Sequence, residues 1–479
     1  MLLTAAFFFL LAPWMAAQAA NITVDESICT LADAITAANT DTATGGCPAG
    51  DSGADTITLE ADVTLAAALP QISSTITIEG GGYFISGNND ENVGSVLHIT
   101  ATGNLTLNEI TVKDGNKMGN GGETQGGGIY NEGTVTLTNS TVSGNTVYDP
   151  TTTVKASIKG AGIYNEGTVT LTNSTVSGNT ASPAPYHSFG GGIYNRGTGT
   201  VILTNSTVSG NTAYSSWSYG GGIYNTGTVT LMNSTVSGNT SSSSIFASAS
   251  HSSSHGGGIC SLNGTVTLTN STVSGNTAIS SSSSSWSAGG GIYNDNEGIV
   301  TLTNSTVSGN TVAVASIYYS GGGICNYRGR GTITLQSTVI SGNMANNHSN
   351  EIYNHGPVNV ASFNLFGHSG ETGGQAFSGF TPGGSDVNAT SNGGAPTTLD
   401  AILNTTLASN VGPTLTHALV AGSPAIDLDA DCSIGLTTDQ RGMPRPSGVG
   451  CDAGAVEYSP SAGTACGNGR DLPANTWLM

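Results

Sequence analysis

The sequence predicts an all-β fold, a right-handed parallel β-helix, from a repeated string, the alternating pattern inside it and a composition suited to stacked strands. A string close to GGGIYNEGTVTLTNSTVSGNT occurs seven times, opening at Gly126, Gly160, Gly190, Gly220, Gly256, Gly289 and Gly321. Its spacing wanders between 30 and 36 residues, so inserts of variable length separate a constant core. Self-similarity at such a period marks a repeat architecture. Thr134, Val135, Thr136, Leu137 and Thr138 alternate, as do Thr141, Val142 and Ser143, which is the period of a strand. Glycines at 126–128, Glu132-Gly133 and Gly144-Asn145 divide each copy into three short strands, one coil of a solenoid. Only 8% of residues are charged and 70 of 479 are glycine, as tight corners between strands require.

Stacked in register, equivalent residues recur about every 4.8 Å along the axis. Ile129, Ile163, Ile193, Ile223, Ile259, Ile292 and Ile324 form one interior column. Leu137 to Leu335 form a second, and Val142 to Ile340 a third. Asn139, Asn173, Asn205, Asn233, Asn270 and Asn304 fall at one corner, where amides can bridge coil to coil and satisfy backbone groups, and Asn145 to Asn343 serve the next. The N-S-T glycosylation strings arise from the repeat itself and carry no functional weight unless the source is eukaryotic.

The net charge of −20 belongs to the ends: residues 126–356 hold 6 acidic and 5 basic residues, against 14 and 2 in 1–125 and 10 and 3 in 357–479. No basic stripe exists, which argues against nucleic acid as a partner. The first twenty residues are apolar and end in Ala17-Gln18-Ala19, reading as an export signal, and no later stretch is long and apolar enough to span a bilayer. Cys29 with Cys47 and Cys432 with Cys451 lie close in sequence outside the repeats and read as disulfides clamping the two ends in an oxidising compartment. Cys260 and Cys325 replace the Tyr of GGGIYN two coils apart, about 9.6 Å, too far to bridge. Cys466 is left without a partner by this count.

The flanks carry two resemblances. V-D-E-S-I-C-T-L-A-D-A-I-T-A-A-N-T with G-G-C-P-A-G and A-D-T-I-T-L, over residues 24–59, resembles the N-terminal module of bacterial secreted β-helix proteins known by its C-S-L-R-E-A string, with Ala32-Asp33 where that family has Arg-Glu. Thr30 can cap a short helix there, whose face of Leu31, Ala34, Ile35 and Ala38 covers the open first coil. G-P-T-L-T-H-A-L, G-S-P-A-I-D, T-D-Q-R-G-M-P-R-P and C-D-A-G-A-V-E, within 393–457, resemble the choice-of-anchor type Q domain of bacterial surface proteins. The pair implies a secreted or surface-displayed protein, outer-membrane association included. The usual anchoring signal is missing after Glu457, so truncation, release or retention by other means is expected. The organisation is then a signal peptide (1–20), an N-terminal cap (21–54), irregular first coils (55–125), regular repeats (126–370), a linker (371–392), the C-terminal cap domain (393–458) and a tail (459–479).

Enzymes on this fold, such as pectate lyases and polygalacturonases, need paired carboxylates, or calcium-binding Asp with a basic residue, on neighbouring coils. Glu132 and Glu166 stack on adjacent copies, but Arg196 and Thr226 follow, the pattern of a permissive corner. Asp295 with Glu297 and Arg328 with Arg330 read as corner variations of the same kind. His187, His251 and His255 lack ligand spacing, so no metal and no cofactor are expected. His417, Asp427, Asp439, Arg441, Arg445, Asp452 and Glu457 read as a structural ion-pair network.

Two surface arrays remain. The Tyr of each IYN string, Tyr130 to Tyr353, alternates with interior Ile and should face outward or pack under a loop. The inserts add aromatics that line one side of the rod, with Tyr148, Tyr186, Tyr214, Trp217, Tyr219, Trp286, Tyr318 and Tyr319 as the candidate ligand-binding residues. The expected function is a non-enzymatic, monomeric, extracellular or cell-surface scaffold that contacts a polysaccharide or a cell-surface partner, without catalytic residues. A polysaccharide-acting enzyme on the same frame is the alternative. The flat Thr lattice of Thr134, Thr136, Thr138 and their equivalents makes ice binding a remote third.

Overall fold

The computed structural model describes residues 20–459 apart from 152–155, 245–251, 282–284, 314–319, 347–348 and 361, and apart from the side chains of 183–185 and 360. The chain is a right-handed parallel β-solenoid whose strands stack copy on copy without a register slip in the repeat core. Ile129 pairs with Ile163, Val135 with Val169 and Val142 with Val176, and the pairing continues to Ile324, Ile333 and Ile340. All three expected interior columns are fully buried, joined by Val135 and its equivalents. That single apolar bore runs from Ile22 to Phe377 and is the main source of stability.

Each repeat carries four strands where the sequence reading has three. After Ile129–Asn131, Thr134–Thr138 and Thr141–Ser143, the chain enters a fourth strand, Thr146–Tyr148, and rejoins the same sheet as Ser157–Lys159. Thr180–Phe189 and Thr212–Tyr219 run through the same sheet without a break. The inserts are therefore a sheet in their own right, and among the described residues the four sheets hold 10, 12, 12 and 12 strands.

Corner chemistry also differs from expectation. The Asn139 column supplies left-handed backbone, with φ between 44° and 51° at its six positions, a conformation Asn tolerates well. Between copies, the Asn173 amide donates to Asn139 Oδ1 at 3.3 Å. The Asn145 column forms the expected ladder: each Nδ2 donates to the next copy's Oδ1 at 2.9 Å, from Asn145 to Asn343. Each Oδ1 also accepts the preceding copy's backbone N–H. A second buried ladder, Asn131–Asn165–Asn195–Asn225, lies at the corner after IYN. The backbone passes Asn145 closely enough that a Cβ on Gly128 would lie 2.8 Å from the Asn145 amide nitrogen.

At the N-terminal end, helix Leu31–Thr40 begins at Thr30, whose hydroxyl accepts the Asp33 N–H. Leu31, Ala34, Ile35, Ala37 and Ala38 close the bore, and the Cys29–Cys47 disulfide ties the helix down. The C-terminal segment does not sit over the opposite end. It folds back along the third sheet, where Thr235 donates to the Leu415 carbonyl, Thr272 to Gln440 and Ala455 N–H to Thr306. Those threonines are buried, whereas Thr141, Thr175 and Thr207 at equivalent positions upstream are half-buried. Inside the segment, Arg445 pairs with Glu457 at 2.5 Å and Arg441 with Asp439 at 2.6 Å, all four side chains nearly inaccessible, and Cys432 bridges Cys451. Cys260 and Cys325 are buried thiols, and Cys466 lies outside the described residues. Among the described residues no helix is long and apolar enough to cross a membrane.

Candidate functional site

The Tyr column of the IYN strands turns away from the bore and is covered by the returning strands of the fourth sheet. Tyr130, Tyr164, Tyr194 and Tyr224 stack at centroid distances of 5.0, 5.2 and 5.0 Å. Phe189 and Tyr219, the last residues of consecutive insert strands, stack on each other at 5.2 Å and press onto Tyr194 and Tyr224. Of the two readings for this column, outward-facing or packed beneath an insert, the second holds: Tyr164 is wholly buried and Tyr194, Tyr224 and Tyr293 nearly so.

The aromatic packing is interrupted where small residues enter both columns. Cys260 takes the place of Tyr between Tyr224 and Tyr293, Cys325 repeats the change one coil beyond Tyr293, and Ala288 stands in register with Phe189, Tyr219 and His255. His255 leans into the space and stacks on Tyr293 at 4.5 Å. Beside it opens a cavity of about 170 Å³ walled by Trp217, Tyr219, Trp286, Tyr293 and Tyr327, with His255, Leu262, Asp295, Asn296 and Arg328 among the remaining lining. Trp286 is 46% exposed, a large apolar surface left open to solvent.

Polar groups gather at one side of this cavity. Asp295 accepts the Tyr293 hydroxyl at 3.2 Å and the Asn296 N–H at 2.6 Å, and Arg328 Nε stands 3.9 Å from it. Arg328 itself has φ of 59°, a left-handed conformation that turns its side chain toward the cavity rim. Burial, helped by the Arg328 charge, holds the His255 imidazole down at about 3, so the ring is neutral at ordinary pH. Burial pushes the Tyr219 phenol up to about 12 and Tyr293 well above its usual range. The site thus offers aromatic faces, a neutral imidazole, one carboxylate and one accessible guanidinium.

A second polar cluster lies at the N-terminal end of the same Tyr column. Tyr164 donates to Glu166 at 2.5 Å, Arg196 binds both, and His98 stands 3.7 Å from Glu132. Burial first, then the Glu166 hydrogen bond, drives the Tyr164 phenol far above its usual range. Glu166 is held below the usual carboxylate range by its Tyr164 and Arg196 partners, against the opposing effect of burial.

Of the residues picked from sequence, Trp217, Tyr219 and Trp286 meet in the cavity. Tyr186 packs edge-on to His187, and Tyr214 lies further along the fourth sheet. Tyr148 bonds Glu91 away from the cavity, and Tyr318 and Tyr319 lie outside the described residues, as does His251. Asp295 and Arg328, read from sequence as corner variations, both line the cavity, and Tyr327 was not singled out at all. The signal that could have found them is the Tyr-to-Cys change in two copies.

No protein-family model and no curated protein matches the chain, so the two flanking resemblances stand on the quoted residues alone. Among solved structures, the crystal structure of pectate lyase Pel9A is similar over 90% of this chain and 91% of its own, at 14% identity and a TM-score of 0.47. That likeness is one of fold. The expectation that this chain is no enzyme is withdrawn: the similar solved structure is that of a lyase, and no other comparison bears on catalysis. The frame alone does not decide for or against catalysis, which resides in side chains placed on it.

Proposed function

We propose that the cavity at Trp217 and Trp286 binds one sugar ring of a polysaccharide whose chain continues along the aromatic groove between the first and fourth sheets. The observation that carries this reading is the convergence of five aromatic side chains with Asp295 and Arg328 on one small cavity. Sugar rings present C–H faces that pack on aromatic faces, and their hydroxyls need a few placed acceptors and donors, which Asp295 and the guanidinium supply. Stacked coils give the groove a rigid floor, so little ordering free energy is lost on binding. Export to the cell exterior, read from the first twenty residues, belongs to the same proposal; 1–19 lie outside the described residues.

Cleavage of the bound polysaccharide is the second reading, supported by a carboxylate and a guanidinium 3.9 Å apart beside the stacking rings. One experiment addresses both. Purified chain is passed over immobilised neutral and uronic-acid polysaccharides, and the flow-through is assayed for new reducing ends. Retention without new ends supports binding alone, new ends that vanish in Asp295→Asn support cleavage, and neither retention nor new ends on any polysaccharide refutes the proposal.

A further inference from the structure

The last coil brings together three groups that the groove does not use. Glu351, just before strand Ile352–Asn354, is wholly buried. Glu371, in the turn before the short helix at Gly373–Ala376, is 4% exposed, and His368 lies in the turn after Leu365–Phe366. One potential ligand atom from each lies within 4.8 Å of the other two. Glu351 accepts N–H groups from Gly342 and Asn343 and the Asn343 amide, and Glu371 Oε2 accepts the Asn350 amide at 2.7 Å. Glu371 Oε1 is buried and no donor reaches it. It faces the turn at Gly367, where a Cβ would stand 3.2 Å away. Two buried carboxylates side by side, one with an oxygen that no N–H reaches, need a positive counterpart between them, a shared proton or a cation.

The geometry points to a divalent metal site formed by Glu351, His368 and Glu371 that staples the end of the solenoid. Two carboxylates with one imidazole make a mixed oxygen and nitrogen set, which suits Zn²⁺ better than the all-oxygen preference of Ca²⁺. Gly370 N–H lies 3.0 Å from His368 Nδ1. Coordination through Nδ1 displaces that N–H, and coordination through Nε2 puts the ring proton on Nδ1, so metal binding breaks this contact in either case.

The test is Zn²⁺ titration of the untagged, EDTA-treated full chain by calorimetry, with the melting temperature followed in parallel. The wild type is expected to take up one equivalent and to melt higher when loaded. Glu371→Gln, which keeps shape and removes charge, and His368→Ala, at a half-buried turn position, are each expected to weaken uptake at least tenfold while circular dichroism shows an intact solenoid. Should Glu371→Gln fail to fold, His368→Ala decides the matter. A wild-type chain that takes up no Zn²⁺, its carboxylates sharing a proton instead, overturns the site, as does equal uptake by wild type and His368→Ala.

Discussion

Asn343 donates its side-chain amide to a carboxylate oxygen of Glu351 at 2.6 Å, and that bond terminates the amide ladder that begins at Asn145. Every member before Asn343 spends its donors on the next copy and on a valine carbonyl behind it, as Asn239 does with Asn276 and Val208. A last member without an acceptor would leave a buried N–H unmatched, and Glu351 supplies one.

The two asparagine columns therefore respond differently to mutation. Asn239→Ala removes a wholly buried amide and strands partners on three sides, and a loss of about 3 kcal/mol is expected. Asn139→Ala, at an exposed corner with φ of 50°, should cost about 1 kcal/mol through backbone conformation, and Asn139→Gly should be nearly neutral. Denaturant unfolding of the three variants checks the order.

The His255 imidazole sits at about 3 against an ordinary value of 6.5. The unfolded chain takes up a proton there below about 6.5 while the folded chain refuses it until about 3. The ring's contribution is thus stability present above 6.5 and lost as the pH falls toward 3. His255→Gln should flatten the wild-type stability curve across that window, by about 4 kcal/mol at its lower end. Melting temperatures of both proteins from pH 7 to pH 3 measure the difference.

Arg445 and Glu457 form an ion pair whose side chains are each 1% exposed, and Arg445 also donates to the Asp452 and Gly454 carbonyls. Arg445→Met leaves Glu457 as an uncompensated buried charge, at a cost of about 4 kcal/mol confined to the C-terminal segment. Limited proteolysis should cut that segment early, with the repeats protected as in the wild type. Arg445→Met with Glu457→Met should recover part of the loss.

The bore was legible because an apolar column repeated seven times shows its period and its face at once: Ile129, Leu137 and Val142 needed no tertiary information. The fourth sheet was not legible, because serine takes many of its interior positions beside short apolar residues such as Ala181 and Ala278. Ser188, Ser218 and Ser254 are buried with their hydroxyls donating to the backbone carbonyls of Ala181, Ser242 and Ile279, so the alternation that betrays a strand is absent from their hydropathy. The return of the C-terminal segment along the third sheet was hidden for a related reason, since Thr235, Thr272 and Thr306 are the same residue type as their uncovered equivalents. Trp217 and Trp286 stood out as aromatics in Ser-rich inserts. Asp295 and Arg328 did not, because only the coil-to-coil register brings them beside those rings.

The central claim is that Trp217 and Trp286 wall a polysaccharide site, and titration of a retained polysaccharide into wild type, Trp217→Ala and Trp286→Ala tests it most directly. Loss of one ring should weaken affinity about tenfold, roughly the worth of one aromatic stacking contact, with melting temperature little changed for the exposed Trp286. Affinity unchanged in both variants, with the polysaccharide still bound, would place the binding surface elsewhere and contradict the account.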